Sequence, residues 1–196
     1  MRRIFLFFGL MGHLVVAGCG GSGTARQTAV ERGKYLVAFG GCHDCHSPKV
    51  EGPGGIPLPD TTRLLSGHPE KLPPPVWTPA AGQQHDTIAS TNSMMTAWAG
   101  PWGVSFAMNL TPDKETGLGE WSEETFIRAM RTGKHQGQPN GRDILPPMPW
   151  FNVKQLSDDD LKAVWAYLQS LPAIKNHVPF PIPPDNTKPA EAAQSR

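Results

Sequence analysis

What the 196-residue sequence has little of bounds it first. It holds three cysteines, Cys19, Cys42 and Cys45, and each is assigned a separate duty below, so no disulfide framework is implied. Neither sign of charge is in excess: 18 Lys and Arg face 17 Asp and Glu. The basic field that recruits nucleic acid is therefore missing. No uninterrupted apolar run reaches the roughly 20 residues that a membrane-spanning helix needs. Internal repeats are absent, and no alternation of apolar and polar residues argues for a sheet. Nor does a nucleophile with a paired base stand out. The glycine-rich residues 20–23 lack the strand and helix that a phosphate-binding loop joins. The length excludes a large multidomain enzyme and suits one ordinary domain or two very small ones.

Glycine and proline, by contrast, are abundant at 21 each, which predicts short helices joined by long loops. Residues 48–79 carry nine prolines, a density that excludes a continuous helix or a central strand. At the N-terminus, Arg2 and Arg3 precede an apolar stretch that closes on small residues, the pattern of an export signal over residues 1–18. Val16-Ala17-Gly18-Cys19 resembles the bacterial lipobox, which implies cleavage before Cys19 and lipid attachment to it. The competing reading is an ordinary signal peptide followed by a bystander cysteine. Residues 19–28 then form a flexible tether.

Three helices are legible. Residues 31–39 place Val30, Gly33 and Val37 on one side and stop at Gly40 and Gly41. Ser122 is placed to cap a second helix with Phe126, Ile127 and Met130 as its apolar stripe and Gly133 as its stop. Ser157 starts the strongest, flanked by Leu156 and Leu161 in the positions of a hydrophobic staple. Leu161, Val164, Trp165, Leu168 and Leu171 recur at helical spacing until Pro172. Residues 176–196 are Pro-rich and polar, and a loosely ordered end is expected from about Pro181.

Cys42-His43-Asp44-Cys45-His46 has the C-x-x-C-H spacing of covalent c-type haem attachment. Two thiols three residues apart suit the two vinyl groups of one porphyrin, and the adjacent His46 suits the iron. A thioredoxin-like redox pair lacks its βαβ context here, and structural zinc lacks a second ligand cluster. Export favours haem further. His43 is read as a solvated surface residue. The sixth iron position has as candidates Met94, Met95, Met108, Met130 and Met148, with His68, His85, His135 and His177. Met148 is preferred because Pro146, Pro147 and Pro149 fix the backbone around it, with Trp150 placed to cover the haem edge. The bland alternative is a methionine packing in a Pro-rich turn. Arg128, Arg131, Arg142, Asn109 and Trp102 are candidate donors to the haem propionates. The Nδ1 of His46 is expected to donate to a backbone carbonyl, with Pro53 one candidate provider.

With these pieces the chain resembles a bacterial class I, single-haem cytochrome c, of the exported type found as lipoproteins or as domains of dehydrogenase-associated cytochromes. The matching stretches are Gly33-Lys34-Tyr35-Leu36, the cysteine motif, Asn109-Leu110-Thr111-Pro112-Asp113, and Thr116-Gly117-Leu118-Gly119 with Trp121. Arg131-Thr132-Gly133-Lys134 and Leu145-Pro146-Pro147-Met148-Pro149-Trp150 continue the match into the last helix. The resemblance implies an all-α cytochrome c fold over residues 29–175, with N- and C-terminal helices packed beside one haem c and His46 and Met148 as axial ligands. It also implies that Gly33 permits close helix approach, with Trp165 or Tyr167 nearby. Residues 47–108 depart from it as a long Pro-rich insertion without an assigned role. The expected function is a lipid-anchored electron carrier on the periplasmic side of a membrane. Its expected partners are a dehydrogenase or quinol complex and an oxidase or another cytochrome. The alternatives are a cytochrome subunit of a larger oxidoreductase and a peroxidase-like enzyme or sensor with a labile sixth ligand.

Overall fold

A computed structural model describes residues 27–76 and 89–184. The leader, Cys19, His85 and the last twelve residues lie outside them. The described residues form helices α1 (Ala29–Phe39), α2 (Cys42–His46), α3 (Glu123–Thr132), α4 (Trp150–Val153) and α5 (Asp158–Gln169). Five short strands accompany them: β1 (Lys49–Glu51), β2 (Pro57–Pro59), β3 (Ser90–Thr91), β4 (Ala97–Gly100) and β5 (Gly103–Phe106).

Local chemistry sets the helix ends. The Thr28 hydroxyl accepts from the Glu31 N–H at 3.2 Å, while the Glu31 carboxylate accepts from the Thr28 N–H at 2.8 Å, a reciprocal cap that starts α1. Ser122 and Ser157 cap α3 and α5 by accepting from Thr125 and Asp160, each at 3.1 Å. Gly133 closes α3 at φ 68°, a left-handed conformation that suits glycine. α1 lies against α5, held by an Arg32–Asp160 ion pair at 2.9 Å. Val37, Phe126, Leu161, Val164, Tyr167 and Leu168 form the core between α1, α3 and α5, joined by Leu65 and Leu118 from the loops.

The all-α expectation is corrected by the insertion, which is not a bare Pro-rich loop. β1 and β2 pair antiparallel, and β3, β4 and β5 form a second antiparallel sheet in that order. None of these strands exceeds four residues, too short for an alternating pattern to register. Pro57 and Pro59 sit in a two-stranded ribbon, where both strands are edges and a missing N–H is tolerated. The segment read as the start of the tail is a packed strap. Asn176 is buried and donates to Ser66 O and His68 O, and Ile182 pairs antiparallel with Val104.

Candidate functional site

α2 is one turn of helix that carries the whole motif. Positions three apart share a helical face, so the free thiols of Cys42 and Cys45, both half-buried, lie on the same side of the turn. Burial pushes the Cys42 thiol up to about 11, and burial raises that of Cys45 as well. Gly41, at φ 65°, supplies the left-handed turn between α1 and α2. His43 is half-buried rather than solvated, its Nδ1 3.0 Å from Ser47 Oγ.

His46 is 8 % exposed, and its Nδ1 lies 2.8 Å from Met108 O. A carbonyl only accepts, so Nδ1 carries the proton and the lone pair falls on Nε2. Nε2 has no hydrogen-bond partner among the described residues. Burial also holds this imidazole below its ordinary range, in the neutral form that a metal ligand needs. The expected carbonyl is thus present, but its provider is Met108 and not Pro53. The insertion supplies it: Gly67 N–H donates to His46 O at 2.8 Å, and His68 N–H and Leu65 N–H donate to Ala107 O and Ser47 Oγ, each at 2.9 Å.

Met148 is half-buried in the turn before α4. That turn is tied to the insertion, because Ser105 Oγ donates to Pro146 O at 2.5 Å. Residues 105–108 therefore touch the Met148 turn at one end and His46 at the other. The remaining ligand candidates are placed differently. His68 is fully buried, its Nε2 2.9 Å from Leu72 O and its Nδ1 2.9 Å from the Thr96 hydroxyl, so both ring nitrogens are engaged. Met108 and Met130 pack against the core cluster, Met94 lines a cleft with Lys49 and Val50, and His135 stands edge-on to Trp121. His177 is exposed.

The candidate propionate donors divide in the same way. Asn109 is fully buried and spent: its amide donates to Ile174 O and Thr116 Oγ1, and its oxygen accepts twice from Thr111. Arg131 is engaged by Lys154 O and Asp158. Trp150 lies over Gly133, where a Cβ would meet its ring at 2.5 Å, with Lys154 Nζ 5.3 Å from the ring centre. Arg142 keeps its guanidinium nearly free, with a single 3.4 Å contact to Asp143 O. Trp102 Nε1, in the turn between β4 and β5, is the one side-chain polar atom among the described residues that is itself wholly shielded from solvent and has no hydrogen-bond partner.

These residues fit a covalently held haem: two thiols on one face, a neutral imidazole with Nε2 unpartnered, and donors without acceptors. They do not fit zinc, since no three His, Cys, Asp or Glu side chains converge as metal ligands among the described residues. No helix there is long and apolar enough to cross a membrane.

The cytochrome c family model matches residues 30–172. The chain is 30 % identical to the gluconate 2-dehydrogenase cytochrome c subunit of Pantoea cypripedii over 73 % of its length and 23 % of that protein. It is 32 % identical to the fructose dehydrogenase cytochrome subunit of Gluconobacter japonicus, over 81 % of the chain and 26 % of the relative. With a nicotinate dehydrogenase subunit of Pseudomonas putida the identity is 29 %, over 81 % of the chain and 10 % of the relative. The chain thus spans between about a tenth and a quarter of the length of these relatives. The matched span contains the motif helix, the insertion that fixes His46 and the Met148 turn, and on that match the chain belongs to the cytochrome c family, which brings with it haem c and electron transfer.

Proposed function

We propose that this chain is an extracytoplasmic electron carrier with one haem c, bound through Cys42 and Cys45, with His46 and Met148 as the axial ligands of the iron. The observation that carries the reading is the motif turn, with its paired thiols and an imidazole whose Nδ1 is fixed by Met108 O while Nε2 is left without a partner. When bound, haem c supplies a one-electron ferric–ferrous couple. The protein holds and orients it: α2 presents the sulfurs, Met108 O sets the His46 tautomer, and Ser105 anchors the Met148 turn. A thioether ligand in place of a second imidazole raises the potential. Trp102 Nε1, Arg142 and Arg128, whose guanidinium makes a single 3.4 Å contact to the Thr125 hydroxyl, are the candidate donors left for the propionates. One C-x-x-C-H motif in the sequence supports a single haem.

In this reading the protein is exported, lipidated at Cys19 and held on the periplasmic side of a membrane. It passes single electrons from a dehydrogenase or quinol complex to an oxidase or another cytochrome. A second reading, a cytochrome subunit within a larger oxidoreductase, is favoured by the names of its relatives.

Visible spectra of the purified protein, oxidised and reduced, test the site. Cys42→Ser with Cys45→Ser is expected to abolish haem retention through denaturing electrophoresis, and normal retention in the double variant rejects the attachment. Met148→Ala is expected to remove the sulfur-to-iron charge-transfer absorption and lower the potential. An unchanged spectrum moves the sixth ligand elsewhere, and rapid carbon monoxide binding by the reduced wild type favours an open site instead.

A further inference from the structure

Lys49 follows the motif by three residues and opens β1, yet it is only 8 % exposed. Its ammonium has three protons. Three carbonyls surround it, all from the motif turn and its exit: Ser47 O at 2.6 Å, Asp44 O at 2.8 Å and His43 O at 2.9 Å. The last carbonyls of a helix have no partner within it, and in α2 this ammonium takes His43 O and Asp44 O, the Ser47 N–H also reaches His43 O, and the Gly67 N–H takes His46 O. A buried lysine is ordinarily paired with a carboxylate. The ion pairs of the described residues run instead from Arg32, Arg131, Lys134 and Lys175, and the Asp44 side chain is exposed. Lys49 is thus a positive charge held beside the motif by backbone dipoles, with the exposed Asp44 carboxylate as an opposite charge that acts on it from the solvent side.

We propose that Lys49 is a positioning residue for the haem-attachment turn, whose buried charge also biases the iron toward its reduced state. The inference rests on the proposed attachment at Cys42 and Cys45. Reduction adds one electron and moves no proton or bond, the electron coming from the redox partner. A fixed positive charge nearby therefore favours the product over the reactant. In water the effect would be screened, but here the ammonium is withdrawn from solvent.

The test compares Lys49→Gln, which keeps an amide donor and loses the charge, with Lys49→Arg, which keeps the charge. At equal covalent haem content, the glutamine variant is expected to show a reduced-to-oxidised ratio about tenfold lower at fixed potential, a shift of about 59 mV for one electron. The arginine variant is expected to stay within about threefold of wild type. An unchanged potential in Lys49→Gln, or an equal drop in both variants, overturns the proposal. Should the glutamine variant not fold, acetylation of the native wild type decides, mapped by mass spectrometry. Lys49 is expected to react at least about tenfold more slowly than the exposed Lys34 and Lys114, and equal labelling overturns the proposal. Wild-type protein that matures without haem overturns the attachment itself, whereas loaded protein with an insensitive potential overturns only the role of Lys49.

Discussion

Gly33 shows how much one missing methyl group decides. A Cβ at this position would stand 1.9 Å from Ala163 O and 2.8 Å from Tyr167 Cβ, so α1 and α5 cross where no side chain fits. Alanine is the better helix former by about 1 kcal/mol, but here the helices must separate to admit it. Gly33→Ala is expected to destabilise the protein by about 1–3 kcal/mol net, read from the midpoint of denaturant unfolding. An unshifted midpoint would mean that the pair slides apart without loss. The close approach at Gly33, whose neighbours lie in α5, was implied only by the family resemblance, whereas the helix ends at Ser122, Gly133 and Ser157 were legible because a cap depends on neighbours within a turn. The acceptor for His46 was not. It is a backbone carbonyl 62 residues further along, and a carbonyl has no residue type by which to recognise it. Asn109 was ambiguous for a related reason: an amide suited to a propionate is equally suited to binding Thr111 and Ile174, as it does here.

At the scale of elements, α1, α3 and α5 followed from apolar spacing, while the short α2 and α4 and the strands of the insertion did not. Its strands, two to four residues long, are set by pairing partners distant in sequence, and its polar centre is His68. Burial lowers the pKa of His68 below the ordinary 6.5. The unfolded chain therefore binds a proton in a range where the folded insertion does not. Stability is then full above pH 6.5 and declines as the pH falls below it. Amide exchange at Gly67, His68 and Ala107, whose N–H groups donate in turn to His46 O, Ala107 O and Thr96 O, is expected to speed several-fold between about pH 7.5 and about pH 5, after correction for intrinsic rates. Exchange at the buried N–H groups of α5 is expected to change less. Equal acceleration in both would show that acid loosens the protein as a whole.

For the whole molecule, charge and length speak to partners. With 18 positive and 17 negative side chains the protein has little net field to steer a partner from a distance. Electron exchange with the proposed dehydrogenase partner is accordingly expected to change by less than about threefold between low and physiological salt in stopped-flow measurements. A steep fall with salt would point to a local charged patch at the contact. The relatives are far longer than this chain. Residues 105–108 add a mechanical consequence. The chain from Ser105 to Met108, three residues and at most about 10 Å, runs from the hydroxyl that grips Pro146 to the carbonyl that grips His46. On the proposed ligation, that short link would brace His46 and the Met148 turn at once, so neither side chain would shift alone on reduction or oxidation. Low reorganisation energy would then be a property of the insertion as much as of the helices.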